Sequence, residues 1–264
     1  MSGPVRGAVR WMVAVAILAS ALVAAPAYGV TATEGADGVL RITDADDAHD
    51  NLLVLLADGT QRMRLEASTP VVVAGERCHA PPGGASSEVM CDPPTAIEVD
   101  SGAGNDSVAL LVAASGLTNN GFKGPIVLHD GPGDDTFRVQ NEGPTTFLDG
   151  PGDDEYVGGV GPDRFVGGPG ADRFASGGAG DIMDYSGSVE PVHVSISDGP
   201  DDGAAGEHDD VAGGRFASIL GGAGDDTIVV GDEPLGPTVD GGPGADRLTG
   251  GRGRRCSARP ATTP

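Results

Sequence analysis

The residues with the clearest chemical potential in this chain are aspartates that recur at one place of a nine-residue unit. Four units run head to tail from Asp149 to Asp184, each with aspartate sixth and an apolar residue eighth. These sixth-place residues are Asp154, Asp163, Asp172 and Asp181. Ca²⁺ takes about six to eight oxygen ligands and favours carboxylates mixed with carbonyls. Aspartates in this regular arrangement therefore have the ligand chemistry that suits Ca²⁺.

The same unit recurs outside this run, in copies that begin at Ser101, Asp130, Gly221 and Gly241. Their sixth-place aspartates are Asp106, Asp135, Asp226 and Asp246. A polar low-complexity segment would show the glycines without the fixed spacing from aspartate to apolar residue, so an ordered array is favoured once calcium is present. Disorder remains the alternative for the calcium-free chain. Strict stacking of adjacent coils is expected only between Asp149 and Asp184.

The glycines indicate which elements must position these carboxylates. A chain that doubles back every nine residues needs positive φ and close backbone approach, which a Cβ disfavours. The three residues after each aspartate are then free to form a short strand. The apolar segment within Ser107–His129 could be a helix or two more strands, and strands are favoured. The predicted fold class is all-β.

The template G-G-x-G-x-D-x-U-x, where U is apolar, resembles the RTX, or haemolysin-type, calcium-binding nonapeptide repeat. The resemblance implies a parallel β-roll, in which two units complete one coil with a strand in each of two facing sheets. It implies ions between turns of adjacent coils, bound by Asp154 with Asp172 on one edge and by Asp163 with Asp181 on the other. Backbone carbonyls of the glycine-rich turns complete the implied ligand set, namely those around Gly150, Gly152, Gly159, Gly161, Gly168 and Gly170.

The charge of the chain agrees with a cation-dependent protein. It has 39 Asp plus Glu against 16 Lys plus Arg, for a formal net charge of −23. Stacked turns without cations would bring carboxylates into repulsion, so folding and metal binding are expected to be one coupled event. Such acidity argues against nucleic acid or anionic lipid as a partner. A protein or carbohydrate partner cannot be identified from the repeats.

The first residues predict export. Arg6 and Arg10 precede an apolar stretch from Trp11 to Ala25, and a small-residue cleavage site follows, so residues 1–27 are predicted to be a signal peptide. No other segment is apolar enough over a sufficient length to span a membrane. Many RTX proteins lack a cleaved leader, and this chain departs from them there. The mature protein is expected to be secreted.

Residues 28–98 lack the nine-residue repeat and are predicted to be a β-rich region that caps or extends the roll. An independent domain is the alternative. Strands are expected at Val39–Thr43, Leu52–Leu56 and Pro70–Ala74. Cys78 and Cys91 are expected to form a disulfide in an exported protein, the alternative being two free thiols.

The calcium-binding roll is assigned to residues 99–249, with an acidic insertion at 185–220 that contains a half-buried strand around Val194. Asp202, Glu207 and Asp209 in this insertion could form another calcium site or a solvated acidic loop, and both possibilities stay open. The final residues, 250–264, are predicted to be degenerate or disordered, because Arg255 stands in a sixth place.

Motifs for catalysis are absent from the sequence. It contains no G-x-S-x-G, H-E-x-x-H, S-x-x-K or phosphate-binding loop, and its five histidines are scattered. We therefore predict a non-enzymatic, exported calcium-binding protein with a structural or adhesive role. The alternative is an exported enzyme of the hydrolase class, with its site in the N-terminal region and the repeats as a calcium-dependent folding module.

Overall fold

A computed structural model describes residues 29–44, 50–56, 63–68, 71–74, 77–79, 87–112, 122–196, 199–212, 215–231, 236–250 and 256–259. All the regular secondary structure within these residues is β-strand. The predicted signal peptide lies outside the described residues. In chain order the strands are β1 (Thr31–Glu34), β2 (Val39–Thr43), β3 (Asn51–Leu56), β4 (Met63–Ala67), β5 (Val72–Ala74), β6 (Cys78–His79), β7 (Glu88–Cys91), β8 (Ala96–Asp100), β9 (Ser107–Val112), β10 (Ile126–His129), β11 (Thr136–Val139), β12 (Thr145–Leu148), β13 (Glu155–Val157), β14 (Asp163–Val166), β15 (Arg173–Ala175), β16 (Ala179–Asp184), β17 (Val192–Ser195), β18 (Gly203–Ala204), β19 (Asp210–Ala212), β20 (Arg215–Leu220), β21 (Thr227–Val229), β22 (Thr238–Pro243), β23 (Arg247–Thr249) and β24 (Cys256–Arg259).

The strands from β8 to β16 alternate between two sheets. Even-numbered strands β8 to β16 pair in parallel within an eleven-stranded sheet, and odd-numbered strands β9 to β15 pair in parallel within a nine-stranded sheet. Each strand therefore pairs with the strand two places along the chain, as a two-sheet solenoid requires. This architecture confirms the all-β, parallel-strand prediction. Strand β9 includes the first part of the apolar segment 108–117, and residues 113–117 lie outside the described residues.

The eighth-place residues form the core between these sheets. Phe165 stacks on Phe147 with ring centroids 4.8 Å apart, and Tyr156 stacks on Phe174 at 5.4 Å. All four rings are buried. The fixed step from aspartate to apolar residue thus places one large side chain per strand inside, because strand side chains alternate between faces.

The N-terminal strands join the same two sheets. Strand β2 pairs in parallel with β8, and β3 pairs in parallel with β9, whereas the contacts of β4 with β3 and β7 are antiparallel. Cys78 and Cys91 face each other on β6 and β7 and are joined in a disulfide. The expected strands at 39–43, 52–56 and 70–74 correspond to β2, β3 and β5, with residue 70 outside the described residues.

After β16 a third sheet begins, and from β20 to β24 the chain alternates between it and the eleven-stranded sheet. Strand β17 enters a four-stranded sheet of order β18-β17-β21-β23, while β19 returns to pair with β15 and β20 pairs with β16. The predicted insertion at 185–220 thus contains β17 to β20. Strand β24, in the predicted degenerate tail, pairs in parallel with β22.

Candidate metal centre

The solenoid carries its aspartates on two opposite edges. We call the turns from the eleven-stranded to the nine-stranded sheet the first edge; they are residues 101–106, 130–135, 149–154 and 167–172. The return turns are the second edge; among the described residues they include 140–144, 158–162 and 176–178. Each edge therefore stacks one turn per coil, and equivalent places lie above one another.

Sixth-place carboxylates on the first edge form a continuous ladder. The backbone N–H of Asp106 donates to Asp135 Oδ1 at 2.6 Å, that of Asp135 to Asp154 Oδ1 at 2.6 Å, and that of Asp154 to Asp172 Oδ1 at 2.9 Å. Asp106 Oδ1 in turn accepts the N–H of Asp50. The expectation that strict stacking is confined to Asp149–Asp184 is therefore wrong, because the ladder runs through the earlier copies as well.

Shorter ladders occupy two other places. On the second edge the N–H of Asp163 donates to Asp181 Oδ1 at 2.9 Å, and the N–H of Thr145 donates to Asp163 Oδ1 at 3.1 Å. Between the eleven- and four-stranded sheets, the N–H of Asp226 donates to Asp246 Oδ1 at 3.1 Å. The two pairs implied by the resemblance, Asp154 with Asp172 and Asp163 with Asp181, thus lie on adjacent coils at opposite edges.

The glycines of the turns are required by close contact between coils. A Cβ on Gly152 would lie 1.7 Å from the carbonyl oxygen of Gly133, and one on Gly170 would lie 1.5 Å from that of Gly152. The other predicted site glycines, Gly150, Gly159, Gly161 and Gly168, would each place a Cβ between 2.1 and 2.6 Å from an oxygen of the preceding coil. Backbone and side-chain oxygens therefore approach the turn of the next coil at positions where only glycine leaves space.

Five of the ladder carboxylates have one oxygen that the protein does not satisfy. The Oδ2 atoms of Asp135, Asp154, Asp163, Asp172 and Asp246 are buried and accept no hydrogen bond. A buried carboxylate without a compensating cation or proton lowers the stability of the folded state by about 3 kcal/mol or more. Together with the stacked carbonyls, these oxygens have the hard-ligand chemistry that suits Ca²⁺.

Burial also raises the pKa values of these groups. Loss of solvent raises the pKa of Asp135 and of Asp163 to about 7 and that of Asp172 to about 6, and neighbouring carboxylates add to the effect. The backbone N–H bonds to the same carboxylates lower their pKa only in part. Protons therefore compete with any cation at these oxygens near neutral pH.

The model of the RTX calcium-binding nonapeptide repeat matches residues 149–183, 207–232 and 238–254, in four copies. The chain carries RTX calcium-binding repeats. Comparison with curated proteins and with solved structures gave no match. The match omits residues 101–135, yet the turns there continue the same ladder, so the stack is longer than the matched segments.

Sequence reasoning missed Asp209 as a member of the RTX ladder. The N–H of Asp172 donates to Asp209 Oδ1 at 3.0 Å, although the two residues are 37 positions apart. The available signal was the step from Asp209 to Val211, which repeats the spacing from the sixth to the eighth place. Val211 is buried and pairs with Phe174 on β15, as an eighth-place residue should.

Two of the three acidic residues of the insertion are buried and so are not part of a solvated loop, and a calcium site at Asp202, Glu207 and Asp209 stays a prediction. Asp202 and Asp209 are 2% and 0% exposed. Asp202 accepts the N–H groups of Ser195 and Val211, and the second oxygen of Asp209 accepts the hydroxyl hydrogen of Tyr185 at 2.8 Å. These carboxylates therefore join the inserted segment to the stack. The Tyr185 hydroxyl donates to Asp209 Oδ2, whereas the equivalent oxygens of Asp135, Asp154 and Asp172 have no donor.

Proposed function

We propose that this chain is an exported, non-catalytic RTX protein with a structural or adhesive role, in which calcium binding and folding are one event. Its RTX repeats support calcium binding. The observation that carries the proposal is the stack of buried carboxylates on adjacent turns. Asp135, Asp154 and Asp172 each have one oxygen that accepts a backbone N–H and one that is left without a donor. Calcium supplies the missing positive charge and links adjacent turns.

Basic side chains do not compensate this charge. The ion pairs found among the described residues involve other carboxylates, such as Glu155 with Arg138 and Asp210 with Arg173, and none reaches Asp135, Asp154 or Asp172. Closely spaced, desolvated like charges disfavour the folded chain. Calcium that binds the folded state and not the unfolded state then stabilises folding by mass action.

Export is supported by three features of the chain. RTX repeat proteins are typically exported bacterial proteins. The bridge between Cys78 and Cys91 suits an oxidising compartment, and residues 1–27 have the pattern of a secretory leader. In the part of the chain that the structure describes, no helix has the length and apolarity to cross a membrane.

We propose further that the N-terminal strands cap the solenoid. Solenoids need ends that protect the last coil from water and from edge-to-edge pairing. The antiparallel strands β4 and β7 extend the nine-stranded sheet beyond its parallel part and end the coil repeat there.

A calcium titration followed by circular dichroism tests the coupling of binding and folding. We expect the chelated chain to be largely unfolded and to gain β signal cooperatively at millimolar calcium, with several ions per chain. A spectrum that ignores calcium would contradict the proposal. Screening the secreted protein against ester, peptide and glycoside substrates tests the non-catalytic role, and calcium-dependent turnover would overturn it.

A further inference from the structure

Three carboxylates meet between two adjacent first-edge turns, in an arrangement that the sixth-place ladder does not account for. One oxygen each of Asp130, Asp149 and Asp154 lies within 4.8 Å of the other two. Asp154 is a sixth-place residue. Asp130 and Asp149, in contrast, stand in the first place of their turns, where the repeat template has glycine.

Two oxygens of this cluster are buried without a donor. Asp130 is 1% exposed and Asp154 is 2% exposed, and neither Asp130 Oδ1 nor Asp154 Oδ2 accepts a hydrogen bond. An ideal Cβ on Gly150 would lie 2.8 Å from Asp130 Oδ1 and 2.1 Å from the carbonyl oxygen of Gly131. A carboxylate and a carbonyl oxygen of one coil therefore approach the same point of the next turn.

Tyr156 orients the two first-place carboxylates. Its buried hydroxyl contacts Asp130 Oδ2 and lies 2.5 Å from Asp149 Oδ1. A phenol has one hydrogen to donate, so it cannot satisfy both carboxylates at once. Three carboxylates share this space, and the remaining oxygens need a compensating charge.

The neighbouring turns lack this arrangement. Ser101 and Gly167 occupy the first place in the turns before and after, so the pair of first-place carboxylates occurs only at Asp130 and Asp149 among the first-edge turns. Ser101 uses its hydroxyl to donate to the backbone carbonyl of Asp130 at 2.7 Å. The neighbouring turns therefore show which residues the chain itself uses in place of Asp130 and Asp149, namely serine and glycine.

We propose that turns 130–135 and 149–154 hold a Ca²⁺ ion whose ligands include the side chains of Asp130, Asp149 and Asp154, and that this is the tightest site of the array. The inference rests on the proposed calcium-dependent function. An all-oxygen, carboxylate-rich set selects a hard cation, and added anionic ligands raise calcium affinity. Tyr156 is a positioning residue for this site.

Variants taken from the neighbouring turns test the proposal in the full chain. Asp149→Gly and Asp130→Ser install the residues found at the same place in adjacent turns. Asp153→Ala and Asp134→Asn are matched controls, since each removes an exposed carboxylate from the same turns. The new residues are those found at the same place of the adjacent turns, where Ala171 and Asn105 stand. Calcium binding is measured by equilibrium dialysis, with circular dichroism at saturating calcium to verify folding.

We expect Asp149→Gly and Asp130→Ser to lose the tightest ion or to weaken it by at least about tenfold, and the controls to stay within about twofold of the parent chain. Equal binding by Asp149→Gly and Asp153→Ala would overturn this inference and leave the proposed function intact. A parent chain that binds no calcium would instead overturn the proposed function.

Terbium luminescence excited through tyrosine provides a second test that keeps every carboxylate. Terbium, a hard cation with calcium-like ligand preferences, should give a strong signal at its first equivalent because Tyr156 adjoins the site. We expect Tyr156→Phe to lose that signal and Tyr185→Phe to retain it. Retention of the first-equivalent signal in Tyr156→Phe would place the tightest site elsewhere and refute the proposal.

Discussion

The two edges of the solenoid are built from the same nine-residue unit, yet they carry very different amounts of charge. The first-edge ladder runs from Asp106 through Asp135, Asp154 and Asp172 to Asp209. The second-edge ladder has two aspartates, Asp163 and Asp181, and Thr145 takes the sixth place in the coil before them. The repeat therefore determines the shape of a coil, whereas its sixth-place residue determines whether that coil contains a buried carboxylate.

Neutral side chains supply the hydrogen bonds of the turn where the second edge lacks a sixth-place carboxylate. Asn141 donates its amide to the carbonyl oxygen of Gly143 at 2.8 Å, and the Thr145 hydroxyl donates to Asn141 Oδ1 at 3.3 Å. Both side chains are buried. Their short local bonds hold the turn without introducing charge, so this coil should depend less on calcium than its neighbours.

The largest difference is expected from removing one ladder carboxylate on each edge. Asp172 has aspartates in the coils on both sides, whereas Asp181 has one only in the preceding coil. At calcium well above the dissociation constant, losing one ion costs about 3 kcal/mol. Asp172→Ala should lower the free energy of unfolding by at least this amount and by more than Asp181→Ala does. Urea unfolding at saturating calcium measures both, and equal losses would show that the edges are equivalent.

Steric substitutions separate the geometry of the turns from their charge. Gly152→Ala and Gly161→Ala place a Cβ 1.7 and 2.1 Å from a carbonyl oxygen of the preceding coil. Each should destabilise the chain by about 2 to 3 kcal/mol, because overpacking displaces the backbone. Gly187→Ala is the control, since its Cβ would meet nothing within 4 Å. Thermal unfolding with calcium present should rank both turn variants well below this control; a Gly152→Ala chain as stable as Gly187→Ala would contradict the stacked geometry.

Proton binding should have opposite effects with and without calcium. The folded-state pKa values of Asp135 and Asp163 are about 7, above the ordinary 3.8, so between these values the folded chain binds more protons than the unfolded chain. Without calcium, the free energy of unfolding must therefore rise as pH falls from about 8 to about 5. With calcium it should fall, because protons displace the ion.

Circular dichroism of the chelated and the calcium-loaded chain across this pH range checks both signs. The chelated chain should regain part of its β signal in acid. Parallel pH profiles for the two samples would show that the ladder carboxylates do not bind the ion.

The smallest effect concerns the end of the first-edge ladder. Tyr185→Phe removes the hydroxyl that satisfies Asp209 Oδ2 and leaves a buried oxygen without a donor, at a cost of about 1 to 3 kcal/mol. The loss should shrink as calcium rises if a cation then takes that oxygen. Urea unfolding at low and high calcium tests this, and a loss independent of calcium would mean that the ladder ends at Asp172.

The repeat made much of the metal centre predictable. The pairs Asp154 with Asp172 and Asp163 with Asp181 lie where the resemblance implied, because a regular period puts identical places above one another. Asp209 was harder to recognise, since the unit before it is interrupted by a long insertion and only its step to Val211 is preserved. Asp130 and Asp149 stand in a place where the template has glycine, so the period offers no reason to join them.

The amino-acid sequence by itself determined the short strands, the apolar core and the hard-ligand chemistry, since these follow from a period of nine residues and from residue types. Only the tertiary structure decided which turns are neighbours outside the run from Asp149 to Asp184. The bonds that join the ladder connect residues 18 to 37 positions apart, and their partners are chosen by strand register between coils. A local period cannot encode that register across an insertion, because the chain that lies between two stacked turns can vary in length without changing the contacts they make.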